Sequence, residues 1–132
     1  MNPARSQSAT GAAEFVRRFV VLEHDFPFLH WDYLIEDGET LACWRLAEQP
    51  GSEITTLATR LDNHRRHYLT YEGPVSGDRG HVHQINAGQL KLEQDWPSSE
   101  HWHDVRLTII DSNLAASCIL TKRDDQDVWS FN

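Results

Sequence analysis

A chain of 132 residues, of which 39% are hydrophobic and five are tryptophan, is long enough for one domain with its own core. Its formal net charge of −8 argues against a non-specific nucleic-acid binder, because nucleic-acid phosphates attract clustered Lys and Arg. It contains no run of about 18 apolar residues, so we expect no membrane-spanning helix and no membrane partner.

The N-terminal segment and the two cysteines predict a cytoplasmic protein. Residues 1–13 lack the apolar core of a secretion signal, so we expect a flexible tail before a single domain over residues 14–132. Cys43 and Cys118 lie in apolar segments. There we expect small buried side chains in a reducing compartment rather than a disulfide.

The first two predicted strands bring three potential metal ligands close together. Apolar and β-branched residues 19–24 predict a strand, a proline-containing loop follows, and the alternating residues 30–36 predict a second strand. Successive side chains of a strand point to opposite faces, so His30 and Asp32 share one face. His24 can join them if the chain folds back. Two imidazoles and a carboxylate at one point are typical of a site for manganese, iron or zinc.

The rest of the chain alternates short β-type segments with turns. Asp37-Gly38 predicts a hairpin, and Asn-Ala-Gly at residues 86–88 predicts another. Residues 54–63 would also suit a helix, but three threonines favour a strand. The further strands that we predict cover residues 40–46, 54–63, 81–85, 89–93, 105–110, 115–122 and 128–131. This pattern predicts a mainly β domain, a small antiparallel β-barrel with one or two short flanking helices.

Most other aromatic and histidine residues have simple structural interpretations. The pairs His81/His83 and His101/His103 have strand spacing but no carboxylate in the same phase, so we expect surface or structural histidines. The aromatic residues near the first strands are expected in the core: Phe19, Phe28, Trp31, Tyr33 and Trp44.

His64 and Tyr68 are four residues apart and form a candidate catalytic pair. An imidazole can exchange a proton with a phosphate oxygen, and a phenol can orient that phosphate. On spacing alone, an exposed polar turn is the simpler interpretation.

Two segments resemble the 3'-phosphoesterase domain of bacterial DNA ligase D, also called the polymerase/ligase N-terminal domain. Residues 19–46 (FVVLEHDFPFLHWDYLIEDGETLACWRL) are similar to its opening, with matches at His24, His30, Asp32, Glu36, Asp37, Gly38 and Trp44. Residues 62–73 (DNHRRHYLTYEG) are similar to a later motif of the family and supply His64, Tyr68, Glu72 and Gly73 at the right spacing. Residues 118–131 resemble the final hairpin less specifically, so the similarity runs from residue 19 to the end.

This resemblance implies a manganese-dependent enzyme of DNA repair that acts on the 3' ends of DNA or RNA. The family removes a 3'-terminal ribonucleoside and then the 3'-phosphate, which leaves a 3'-hydroxyl for a polymerase or ligase. By this resemblance His24, His30 and Asp32 would hold the metal, Mn²⁺ first and Zn²⁺ as the alternative. His64 and Tyr68 would handle the phosphate and take part in catalysis. The implied partners are nucleic-acid 3' ends and a separate ligase or polymerase.

The chain departs from the family at residues that contact phosphate, which leaves its catalytic competence open. Leu34 and Thr56 stand where the family has arginines, and Glu48 stands where it has a lysine. Arg60 shares strand parity with Thr56 and His64. We therefore expect Arg60 to bind substrate in place of a lost arginine.

Two other functions also fit the sequence. The missing arginines and the acidic charge would suit a non-catalytic, metal-containing module that binds phosphorylated ends or a repair partner. His30 and Asp32, followed by His81 or His83, also imitate the ligand triad of non-haem iron oxygenases. The first basic residue after His83 is Lys91, which is too distant to hold the co-substrate of such an enzyme.

Overall fold

The computed structural model describes residues 16–92, 105–111, 117–123 and 126–132. The predicted tail at residues 1–13 and the pair His101/His103 lie outside these ranges. Within them, no helix is long and apolar enough to cross a bilayer.

β-Strands make up nearly all of the regular structure in the described ranges. They are β1 (Val16–His24), β2 (His30–Asp37), β3 (Thr40–Leu46), β4 (Thr55–Arg65), β5 (Gly73–Pro74), β6 (His81–Leu92), β7 (Val105–Asp111), β8 (Ser117–Arg123) and β9 (Gln126–Phe131). The helical element of these ranges is one short 3₁₀ turn, Arg66–Leu69. The predicted mainly β class is confirmed, and all but the first of the ambiguous residues 54–63 belong to β4.

The strands form one antiparallel sheet whose pairings return to the first strand. Their order is β1-β2-β3-β4-β9-β8-β7-β6-β5, and β1 also pairs with β6 from Val16 to His24. The pairing therefore passes from β1 through β4, β9 and β6 back to β1. Because β1 lies between β2 and β6, the loops at its C-terminal end meet those that precede β6.

The hairpin predicted at residues 86–88 is wrong. β6 runs through these residues and stays paired with β1, with Gly88 opposite Phe19. A register shift between Val21 and Leu22 accommodates one extra residue of β6. The long neighbouring strand offers each backbone group a partner, and this pairing outweighs the local turn preference of Asn-Ala-Gly.

Strand β2 separates two clusters of buried side chains. The face with Tyr33 joins a large core around Trp44 and Trp129. The face with Asp32 joins a smaller core that also extends over β1, β3 and the 3₁₀ turn. The members of this smaller core are Val20, Leu22, Leu34, Leu41, Cys43, Leu69, Val75 and Val82. The candidate site therefore lies beside the smaller core.

Phe28 does not belong to the core, contrary to the prediction. It is 58% exposed because it lies in the loop between β1 and β2. Its ring centroid lies 5.7 Å from that of His30 and 5.5 Å from the guanidinium carbon of Arg45. The other predicted core aromatics are buried, except for the partly buried Trp31.

Candidate metal centre

The three predicted metal ligands converge where β1 and β2 pair. His24 lies opposite His30, and Leu22 lies opposite Asp32. One ligand atom from each of the three candidate side chains falls within 4.8 Å of the others. His30 Nε2 lies 3.2 Å from Asp32 Oδ1, and His24 Nδ1 lies 3.6 Å from Asp32 Oδ2. The predicted folding back of the chain is confirmed, and the group can hold a divalent cation.

Backbone carbonyls orient both imidazoles of this group. His24 donates from Nε2 to the carbonyl of Arg79 at 2.8 Å, and His30 donates from Nδ1 to the carbonyl of Phe28 at 2.9 Å. A carbonyl can only accept, so these ring nitrogens carry hydrogen and the other nitrogen of each ring faces Asp32. Metal-binding histidines in proteins are usually held in this way.

His64 reaches the same carboxylate from β4. A register shift in β3–β4 pairing places Cys43 opposite Leu61 but Leu41 opposite His64. His64 donates from Nδ1 to the carbonyl of Asp62 at 2.9 Å, which leaves its Nε2 available. Ligand atoms of Asp32, Cys43 and His64 also lie within 4.8 Å of one another.

Cys43 is fully buried, as the sequence predicts, but its position beside a carboxylate and an imidazole was not predicted. Burial raises the pKa of the Cys43 thiol well above its ordinary value. Without a cation the thiol is therefore protonated at neutral pH.

Asp32 carries a stable negative charge although it is only 4% exposed. Burial raises its pKa, but hydrogen bonds from His24 and His30 and the nearby imidazole charges outweigh burial and lower the pKa to about 2. The hydrogen bond to Asp32 raises the pKa of His24, against the opposing effect of burial. The centre thus contains a charged carboxylate, Asp32, and a protonated imidazole, His24, whose proton a cation would displace.

Tyr68 stands beside His64 because the 3₁₀ turn follows β4 directly. The two ring centroids lie 6.0 Å apart in an edge-on arrangement. Both residues line a cleft, and His24 and Asp32 are among its other lining residues. The predicted catalytic pair and two of the three predicted metal ligands, His24 and Asp32, therefore line one cleft.

The parity argument for Arg60 is wrong, because the register shift in β4 separates it from His64. The Arg60 guanidinium lies 4.8 Å from the ring centroid of Trp44, a member of the large core. It donates to the backbone carbonyls of Cys43 and Leu61. Arg60 thus stabilises the β3–β4 pair and is not among the residues that line the cleft.

Arg45 lines the cleft instead, and spacing alone did not identify it. It lies directly opposite Asp32 in the β2–β3 pairing, so the two side chains share a face. In the described part of the chain, its buried Nε–H has no hydrogen-bond partner. The Asp37-Gly38 turn is the signal that could have found it, because the register of a hairpin follows from its turn.

Arg79 borders the cleft from the loop before β6. Its side chain bonds to Ser76, with Nε 2.7 Å from the carbonyl oxygen and Nη2 3.3 Å from Oγ. Its backbone carbonyl holds His24. Arg79 thus orients the candidate ligand His24 through its backbone, and its side chain places a positive charge at the rim of the cleft.

The other motif residues secure the framework. Glu72 accepts from the Gln84 backbone N–H at 2.7 Å, and its carboxylate lies 2.9 Å from His83 Nδ1. His81 lies 3.9 Å from Asp25, and both histidine side chains are about 70% exposed, at 69% and 71%. Neither belongs to a ligand group with His30 and Asp32. The structure therefore does not assemble the oxygenase-like triad.

No protein-family model matches this chain, and no curated protein matches it. The resemblance to the ligase D domain rests on the two sequence motifs, residues 19–46 and 62–73. In the structure, both motifs contribute side chains to the same cleft.

Proposed function

We propose that the protein is a metal-dependent phosphoesterase for the 3' ends of DNA or RNA, and that it removes a 3'-phosphate or a 3'-ribonucleotide in DNA repair. The observation that carries the proposal is the arrangement around Asp32. Two carbonyl-anchored imidazoles, His24 and His30, meet this carboxylate, and His64 and Tyr68 open onto the same cleft.

The residues present fit a divalent cation. Asp32 Oδ1 is buried and receives no hydrogen bond of good geometry, although it lies close to His30 Nε2. Two imidazoles and a carboxylate suit Mn²⁺, with Zn²⁺ as the alternative. When bound, the cation would polarise a phosphoryl oxygen and acidify a water molecule.

The side chains of the cleft would divide the work of hydrolysis. Water attacks phosphorus and releases a proton to solvent, the bond from phosphorus to the 3'-oxygen breaks, and the leaving oxygen takes up a proton. Protonated His64 would donate that proton from Nε2, while its Nδ1–H stays bonded to Asp62. The Tyr68 hydroxyl and the Arg45 guanidinium would bind non-bridging oxygens, which gain charge in the transition state.

A direct test is the release of phosphate from a DNA primer with a 3'-phosphate, in the presence of Mn²⁺. We expect phosphate and a primer with an extendable 3'-hydroxyl. Asp32→Asn should abolish phosphate release. His64→Ala should also be inactive, whereas the matched variant His81→Ala, at an exposed histidine, should stay active. Folded, metal-loaded wild type without turnover would refute the proposal.

One observation favours a second function, a binding module without catalysis. Leu34 is fully buried in the smaller core, so its position supplies no guanidinium to the cleft. Metal-dependent binding of a 3'-phosphate oligonucleotide without phosphate release would support this second function.

A further inference from the structure

The group formed by Asp32, Cys43 and His64 is distinct from the predicted metal site although the two share a carboxylate. Its ligand atoms lie within 4.8 Å of one another, as close as those of the first group. The two groups therefore offer a cation two neighbouring positions with different donor chemistry. The first presents two nitrogens and an oxygen, and the second presents a sulfur, a nitrogen and an oxygen.

Three independent features of the fold make the second group a suitable cation position. The β3–β4 register shift brings His64 to the face of Cys43. The bond from His64 Nδ1 to the Asp62 carbonyl leaves Nε2 available. The Asp32 side chain is 6% exposed, and its buried Oδ1 accepts no hydrogen bond. Among the described residues no donor satisfies this buried oxygen, so the carboxylate that both groups share still calls for a positive partner.

We propose that Asp32, Cys43 and His64 form a second position that selects a thiophilic divalent cation such as Zn²⁺, and that this cation inhibits the enzyme. On binding, the Cys43 thiol loses its proton to solvent, a sulfur–metal bond forms, and the Nε2 lone pair of His64 coordinates. A carboxylate and a thiolate together neutralise the dication, which suits a buried site. Thiolate favours Zn²⁺ over Mn²⁺.

Inhibition follows because the coordinated His64 can no longer transfer a proton to substrate. This second half of the inference rests on the proposed function, whereas cation binding by Cys43 does not. The two halves therefore need separate measurements.

Cobalt spectroscopy tests the cation position without any enzyme activity. Co²⁺ added to the wild type should give a near-ultraviolet sulfur-to-cobalt charge-transfer band. The band should disappear in Cys43→Ser and in Cys43→Ala, and it should persist in Cys118→Ser, the matched change at the other cysteine. A wild type without the band, or a band that survives both Cys43 variants, overturns the proposal.

Protection of the thiol checks the same point in unaltered protein. Cd²⁺ at about ten times its Kd should slow the alkylation of Cys43 about tenfold, because only the metal-free fraction of the thiol can react. Equal alkylation rates with and without Cd²⁺ would contradict thiolate ligation, whether or not the variants fold.

Inhibition is measured by titrating Zn²⁺ into the Mn²⁺-supported phosphatase reaction, with each variant normalised to its own rate. We expect Cys43→Ser to need at least about tenfold more Zn²⁺ than the wild type or Cys118→Ser. Equal inhibition of all three proteins would overturn the inhibitory role. If no phosphatase activity exists, the proposed function fails while the cobalt and alkylation results still decide the cation position.

Discussion

Three histidines around Asp32 each bond through one ring nitrogen to a backbone carbonyl. The acceptors belong to Arg79, Phe28 and Asp62, which lie in three different segments of the chain. Each bond fixes both the ring orientation and the nitrogen that stays available. Residue spacing predicts which side chains meet, but these carbonyl contacts decide whether they meet with the right atoms.

Metal affinity should depend on pH through His24, whose pKa is raised by its hydrogen bond to Asp32. A cation must displace the His24 proton, so affinity should fall by up to about tenfold per pH unit below that pKa and level off above it. Mn²⁺ binding measured by electron paramagnetic resonance between about pH 8 and 6 would check this. His24→Asn should weaken binding and flatten the dependence, and an unchanged slope would contradict the assignment.

Arg45 should contribute to the binding of a 3'-phosphate, because its guanidinium lies in the cleft opposite Asp32. Arg45→Met should lower kcat/KM for a 3'-phosphate primer about 10- to 100-fold. This corresponds to about 1.5–3 kcal/mol for a hydrogen bond to a charged group. Steady-state kinetics with the Mn²⁺-loaded protein provides the measurement.

Arg60→Met is the matched control, since Arg60 packs on Trp44 away from the cleft. It should lower the free energy of unfolding by about 1 kcal/mol through lost hydrogen bonds and packing. Its kcat/KM should stay within about twofold of the wild type, well inside the effect of a lost charged hydrogen bond. A lower kcat/KM in Arg60→Met, together with an unchanged kcat/KM in Arg45→Met, would instead assign substrate binding to Arg60.

Turns and bulges set the register between neighbouring strands, and with it the residues that share the cleft. The Asp37-Gly38 turn aligns β2 with β3 so that Asp32 faces Arg45 and Leu34 faces Cys43. Both pairings follow from a turn that the sequence predicts. No turn motif in the sequence predicts the register shift in β4. This shift moves His64 to the face of the sheet opposite that of Arg60.

Two loops meet at Gly80, and its substitution should disturb the site. Gly80 has a φ of +74°, and an added Cβ would overlap Asp25 Oδ1 and lie 2.8 Å from Phe26 Cβ. The strained backbone and the overlap together should cost about 2–4 kcal/mol in Gly80→Ala. Urea denaturation would measure this loss, and Mn²⁺ affinity should also fall because the neighbouring Arg79 carbonyl holds His24.

Gly38→Ala provides the matched comparison. Gly38 has a similar φ of +63°, but nothing lies within 4 Å of an added Cβ. Its substitution should cost only the backbone penalty of about 1–2 kcal/mol and leave Mn²⁺ affinity unchanged. Equal effects of the two substitutions would show that the loop contact at Gly80 does not support the site.

The ring of strand pairings brings the candidate site together from distant parts of the chain. The β1–β6 pairing places the loop before β6 next to His24, and the β3–β4 pairing delivers His64. A cation at this centre would connect β1 and β2 in the native state and would find no such group in an unfolded chain. Metal binding should therefore stabilise the whole domain.

Thermal unfolding with and without Mn²⁺ tests this coupling. A hundredfold excess over Kd should add about 2.7 kcal/mol, a rise in Tm of roughly 10 °C for a domain of this size. A chelator should reverse the rise, and Asp32→Asn should show none. A similar rise in Asp32→Asn would place the stabilising cation elsewhere.

Much of the fold and part of the site follow from local patterns along the chain. Alternation over residues 30–36 predicts the faces of β2, the Asp37-Gly38 turn predicts its partner, and both concern residues close in sequence. The pairing of His24 with His30 is similarly local.

Tertiary contacts settle the rest. Long-range pairing with β1 turns residues 86–88 from a hairpin into a continuous strand, and a bulge in β4 separates Arg60 from His64. The carbonyl that holds His24 belongs to Arg79, which lies 55 residues further along the chain. Such contacts depend on which backbone groups meet across the sheet, and no pattern confined to one segment encodes them.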